Sequence, residues 1–251
     1  MRIFTIKNKL PTILSILLLL FIWRMSSEII ASKIILPSPE ATCKSLLILM
    51  KSENFFKIVL MTIKRGCIGF FLSCSLGLLI GLLTGSHLFL ERLIEPILVV
   101  IKSTPIMSII ILALIWFKTE YVPIFVSFLV AFPIICVNVS EGIKSVDVKL
   151  LEMAKIYHVR KYRIILEIYL PAISRYFLAG VSTAMGIGWK AVIAAEVLSQ
   201  PNFAIGTSLY NAKVYIETEN VFAWTVIAVL LSFIFERAIR ILEKKIMRWR
   251  G

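Results

Sequence analysis

The sequence predicts an all-α, polytopic membrane protein with about six transmembrane helices. Three observations carry that prediction. Of the 251 residues, 59% are hydrophobic, where a soluble domain holds roughly 45–50%, and the mean hydropathy is +0.91. Several apolar runs approach or exceed the roughly 20 residues that cross a bilayer as a helix. Polar or breaker-rich intervals separate those runs. The chain reads as one membrane domain over residues 1–251. Its core spans about 58–241, its first helix about 10–31, and neither end carries a sizeable soluble domain.

The elements follow in order. A short basic stretch, with Arg2, Lys7 and Lys9, precedes the apolar run Leu10–Trp23. That run has the basic front of a signal peptide, but Arg24, Met25, Ser26, Ser27 and Glu28 follow it in place of a small-residue cleavage site. It is therefore read as a retained first helix. "LPSP" at 36–39 ends it, and 40–56 mixes charged and apolar residues as an interfacial helix does. The second span, about Ile58–Gly85, repeats a small residue every fourth position: Gly69, Ser73, Gly77, Gly81 and Gly85. One face of that helix is nearly bare, which lets a neighbour's backbone approach closely. Residues 86–96 read as a short polar turn. The third span, Ile97–Phe117, carries a kink at Pro105, and the fourth, Val122–Ser140, contains Pro133. A fifth span, Tyr176–Leu198, sets Gly180, Ala184 and Gly188 on one face. Residues 199–220 read as a polar, turn-rich connection before the sixth span, Val221 to about Ile241.

The interval from Gly142 to Arg175 stands apart, because it is the one long polar stretch between apolar segments in the second half. Ile143, Val146, Leu150, Met153 and Tyr157 recur at steps of three and four, as one apolar stripe on a helix does. A second apolar run, Ile164–Leu170, stops at Pro171, where a helix is expected to break. The interval is predicted to form two short helices with a corner near His158, outside the bilayer and shaped to touch a partner.

Charge sets the orientation. The net charge is +13, and basic residues collect on the cytoplasmic side of membrane proteins. Three precede the first span, one (Arg92) follows the second, seven lie in the 142–175 interval and six follow Glu236, seventeen of the 28. Six spans with this distribution place both termini and the interval in the cytoplasm. Nucleic-acid binding is set aside, since no basic stretch forms a recognisable module. Cys43, Cys67, Cys74 and Cys136 have neither disulfide-framework nor metal-ligand spacing. No G-x4-G-K-[ST], H-E-x-x-H or G-x-S-x-G pattern occurs, so no cofactor, metal site or catalytic set is predicted. A secondary transporter and an intramembrane enzyme are the alternatives. The first is disfavoured by the lack of an internal repeat, the second by the scarcity of facing ionisable pairs.

The 142–175 interval resembles the cytoplasmic loop of permease subunits of ATP-binding-cassette importers, whose motif is EAA-x3-G-x9-I-x-L-P. Here Glu152, Met153 and Ala154 are followed by three residues, His158, nine residues, then Ile168, Tyr169, Leu170 and Pro171. The spacing is kept throughout; Met153 and His158 stand where the motif has Ala and Gly. "LPSP", Arg65 with Gly69, Glu95-Pro96, "FPIICVNVSEG" at 132–142, and Trp189 with Glu196 in "GWKAVIAAEVL" are similar to the nitrate/sulfonate/taurine branch. The likeness covers about residues 35–240. It implies a type I importer fold and a homodimer of permease subunits in the cell inner membrane, embedded in membrane lipid. It also implies two cytoplasmic ATPase subunits that each grip a coupling helix, and an extracytoplasmic substrate-binding protein. By this resemblance Glu152, Met153, Ala154, His158, Ile168, Leu170 and Pro171 belong to the ATPase-coupling loop.

Trp189, Lys190 and Glu196 are the candidates for the translocation path. An ionised group at mid-membrane costs about 2.5–3.5 kcal/mol, so Lys190 is expected to face water or protein. It either lines the path and favours an anionic solute, or snorkels or pairs structurally. Glu196 lies six residues on, about 600° around the helix, and so off the Lys190 face. With Gln200 it is read as shaping an outer gate, as contacting the binding protein, or as a structural helix-end residue. Trp189 is read as packing between helices or at the gate in preference to stacking on a ligand.

Overall fold

The structure, a computed structural model, describes residues 9–248. Helix α1 (Lys9–Ile30) is long and apolar, and little of it is buried. The LPSP segment folds back on it: Trp23 Nε1–H donates to the Pro37 carbonyl at 3.0 Å and the Ser27 hydroxyl to that of Leu36 at 2.9 Å. Ser38 then caps α2 (Pro39–Met50), accepting the Ala41 N–H at 3.2 Å, with Pro39 at the first helical position. One tetrapeptide thus stops a helix and starts the next.

Helix α3 (Phe55–Ser86) packs its bare face on α6 (Val122–Lys144). A Cβ added at Gly69 would stand 2.5 Å from the Ile124 carbonyl oxygen, and one at Gly81 would stand 2.7 Å from that of Cys136. No side chain fits between these backbones. Helix α6 is the axis of the molecule. Val126, Ala131, Ile135, Cys136 and Val139 are fully buried, enclosed by α3 on one side and α9 (Leu170–Ser199) on the other. On α9, Gly180 meets the Asn138 side chain, and Ala184 is buried.

Four expectations are corrected. The third span is not a single kinked helix. Residues 86–96 are mostly helical within α4 (Leu88–Ser103), and α5 (Ile106–Trp116) leaves it at 100°. The break falls at Thr104–Pro105, where both residues are extended: proline holds its neighbour out of the helical region and brings no N–H. The apolar stripe from Ile143 to Tyr157 is divided, since α6 runs on to Lys144 and a new helix, α7 (Val148–Ile156), starts after Asp147. Pro171 does not end a helix. From α8 (Lys161–Ile164) the chain passes through a wide π turn, Ile165–Tyr169, and continues unbroken as α9. The Leu170 N–H bonds five residues back, to Ile165. The widened turn relieves the clash an α-helical proline would make with the carbonyl four residues before it. Last, the 199–220 connection holds a further helix, α10 (Ile205–Val214), before α11 (Thr218–Arg248). Among the described residues five helices are long and apolar enough to span a membrane, or six passes if the bent α4–α5 pair counts as one.

Candidate functional site

Two polar constructions sit at opposite ends of α6. The first is the corner beyond its C-terminus. Asp147 starts α7 by accepting the Lys149 N–H at 2.9 Å. At the other end the Val159 N–H reaches the Ala154 carbonyl at 2.9 Å and the His158 N–H that of Lys155 at 3.2 Å. This is the paired 6→1 and 5→2 pattern of a Schellman motif. Its left-handed position is His158, with φ 49°. Ala154 is the one buried residue of α7, at 3% exposure. The other apolar side chains face outward: Leu150 and Met153 are exposed, and Ile156 and Tyr157 reach 74% and 75%. Glu152 is exposed beside an open cleft of about 680 Å³ that His158, Val159 and Tyr169 also line. Ile168 and Pro171 are half-buried, while Leu170 is exposed.

The second construction lies near the N-terminus of α6 and is built on Arg65. This side chain is 3% exposed, one helical turn past Thr62 on the face of α3 toward α9. Its guanidinium pairs with Glu120, in the turn before α6, and with Glu196 near the end of α9, the latter at 3.2 Å. It also donates to the carbonyls of Asn202 (2.7 Å) and Phe203 (3.2 Å). Glu196 is 0% exposed. Its carboxylate additionally accepts the Thr62 hydroxyl at 3.0 Å and the Gly206 N–H at 3.1 Å. Thr62 Oγ1 in turn accepts the Ile205 N–H at 3.0 Å, and Glu120 accepts that of Asn202 at 2.8 Å. The cluster pins the loop 200–206, with its left-handed residues Gln200 and Phe203, across the ends of α3 and α9. Gly206 is required there, since a Cβ would stand 2.5 Å from that of Glu196.

The three path candidates therefore separate. Glu196 is an internal anchor and lines no opening of the protomer. Trp189 is also internal: its Nε1–H donates to the Ala228 carbonyl at 3.2 Å and its ring lies 5.0 Å from that of Phe235. Lys190 is exposed and makes no ion pair among the described residues. It shares an uncovered face of α9 with Ile187 and with Gly186, whose Cβ would meet nothing within 4 Å. The sequence left Glu196 without a partner, although a signal was present. Arg65 lies ten residues after the start of α3, Glu196 lies three before the end of α9, and the two helices run in opposite senses. That matches the two charges in depth. Among the described residues no three His, Cys, Asp or Glu side chains gather to hold a metal ion.

Helical passes wrapped around one buried span, with an amphipathic corner uncovered at one end, are the architecture of a membrane permease subunit. The chain belongs to the family described as the binding-protein-dependent transport system inner membrane component, whose model matches residues 77–248. It is 28% identical over 232 residues to a putative aliphatic sulfonates transport permease of Bacillus subtilis (strain 168), covering 92% of this chain and 84% of that one. It is 22% identical over 235 residues to the taurine transport system permease of Escherichia coli (strain K12), covering 91% and 85%. In fold it is similar to a chain of a bacterial alginate ABC transporter solved in complex with an alginate pentasaccharide-bound periplasmic protein. The TM-score is 0.61 at 15% identity, over 97% of this chain and 96% of that one.

Proposed function

We propose that two copies of this chain form the solute pathway of an ATP-driven importer in the cell inner membrane, with α7 and its corner seated in a cytoplasmic ATP-binding-cassette ATPase. The observation that carries this reading is the corner. Leu150, Met153, Ile156 and Tyr157 form an apolar face that the chain itself leaves uncovered, and such a face calls for a partner. Glu152 stands at its rim, Ala154 keeps α7 close to the chain that follows, and His158 fixes the turn. Ile168, Leu170 and Pro171 form the return path into α9. Energy comes from the partner, since the sequence has no phosphate-cradling G-x4-G-K-[ST] loop, and this subunit performs no chemistry of its own. Both termini lie with the corner in the cytoplasm, in line with the positive-inside rule. An extracytoplasmic binding protein delivers solute at the opposite end, beside the loop 200–217. The uncovered α9 face of Gly186, Ile187 and Lys190 is offered to the second copy, with Lys190 along the path. The solute is a small sulfonate or a chemically related molecule, in keeping with the transport systems of the relatives.

The test is retention of the ATPase subunit on the affinity-tagged permease. Wild type retains it, and Met153→Asp or Tyr157→Asp lowers retention at least tenfold while the permease still elutes as a monodisperse species. Undiminished retention in both variants, or ATP hydrolysis by the purified chain alone, overturns the reading.

A further inference from the structure

Helix α11 leaves the bundle through a basic patch. Its membrane-crossing stretch ends at Ile241. Just before that end, Phe233, Glu236, Arg237 and Arg240 line an open groove of about 150 Å³. Ile239 turns inward instead: it is 8% exposed and belongs to a core with Val139 of α6 and Val181 of α9. Val139 lies five residues before the end of α6, so the groove sits toward the α7 end of the molecule and opens away from the bundle.

The charges of the patch do not balance. Arg240 pairs with Glu236 one turn back. Arg237 is exposed and makes no ion pair among the described residues. Beyond them the sequence adds Lys244, Lys245, Arg248 and Arg250 against Glu243 alone. Lys244 and Arg248 follow Arg240 at steps of four, the register of one helix face. Counted from Glu236, six cations stand against two carboxylates.

Depth decides which anion can answer that surplus. All four residues of the groove fall within Thr218–Ile241, the stretch long and apolar enough to cross a membrane. A water-soluble protein does not enter the apolar layer, whereas a lipid phosphate and its first acyl carbons lie at that boundary. Phe233 is 57% exposed and one turn deeper than Arg237, so it offers apolar surface to an acyl chain. Arg237 offers the planar fork that suits a phosphate. Basic clusters where a span leaves the bilayer attract anionic headgroups. We propose that the exit of α11 is a binding site for an anionic phospholipid, with its phosphate at Arg237 and an acyl chain along Phe233. The proposal goes beyond the importer reading and does not depend on it, since it needs only that α11 spans a membrane. A lipid held there fixes the depth at which α11 leaves the bilayer and, through Ile239, keeps α11 seated on α9.

The experiment is native mass spectrometry of the full chain in detergent, offered phosphatidylglycerol and phosphatidylcholine with the same acyl chains. The ratio of the two bound lipids is read within each variant, so a general loss of stability does not enter. Wild type favours phosphatidylglycerol about tenfold or more. Arg237→Gln lowers the preference about fivefold, the share of one basic residue near an anionic surface. Glu236→Gln raises it, because it releases Arg240 to the phosphate. Arg163→Gln removes an exposed arginine at the corner and leaves the ratio unchanged. Glycerol phosphate, a headgroup without chains, does not displace the lipid. Equal binding of the two lipids, an unchanged ratio in Arg237→Gln, an unchanged or lowered one in Glu236→Gln, or an equal loss in Arg163→Gln overturns the proposal. So does displacement of the lipid by glycerol phosphate or by the ATPase subunit. The importer reading is tested separately, by ATPase retention at Met153 and Tyr157.

Discussion

One guanidinium holds two carboxylates at the end of α3, and the surplus negative charge is met by N–H and O–H donors. Thr62 and Gly206 serve Glu196, and Asn202 serves Glu120. Arginine suits this position because its planar fork serves two acids and two carbonyls at once, which a lysine ammonium cannot do with the same geometry. Removing one member of a buried pair strands the other, at a cost of about 3–5 kcal/mol. Arg65→Met is therefore expected to lower the midpoint of thermal unfolding in detergent sharply. Glu196→Gln keeps the Thr62 contact and is milder, at about 1–3 kcal/mol. The double variant should lose less than the sum of the two singles, because the residues share one network. Strict additivity would mean that the pair is not coupled.

At the scale of elements, the joint between α3 and α6 is tight at Gly69, Gly77, Gly81 and Gly85, whereas that between α6 and α9 is tight at Gly180 and loose at Gly188. Gly81 has no room: a Cβ there would stand 2.6 Å from that of Val139. Gly188 has its nearest neighbours at 3.7 and 3.8 Å, which is ordinary contact. Gly81→Ala is expected to cost about 1–3 kcal/mol through overpacking, visible as reduced yield of monodisperse protein, and Gly188→Ala to be tolerated. Equal sensitivity would mean that the α3–α6 separation is softer than described. The small-residue ladder of α3 was legible because its four-residue period survives any environment. Pro105 was legible as an interruption, but its 100° turn was not. Proline fixes one dihedral and removes one N–H; the direction taken afterwards depends on what α5 packs against. Pro171 was misjudged because a π turn leaves no mark on apolar periodicity. Helix α10 was hidden because its N-terminal end is held by remote groups, Thr62 and Glu196, and not by its own composition.

At the scale of the molecule, six passes and the protruding corner could be read from hydropathy and charge alone, whereas the link between Arg65 and Glu196, 131 residues apart, needed the helices to be placed. The two polar constructions lie on opposite sides of the bundle, and this gives a topological prediction. With Cys43 and Cys67, which are exposed, replaced by serine, a membrane-impermeant maleimide added to intact cells should modify Lys213→Cys. Lys155→Cys should react only after the membrane is opened. The reverse pattern would invert the protein in the membrane. The π turn has a mechanical meaning in this setting. From Lys161 to Ser199 the chain is one helical stretch of 39 residues, roughly 58 Å at 1.5 Å per residue, longer than a bilayer's hydrocarbon core of about 30 Å. A stiff rod that begins at the corner and ends at the Arg65 clasp acts as a pushrod: tilt imposed at one surface arrives at the other, and the loosened winding before Pro171 is the place where it can flex.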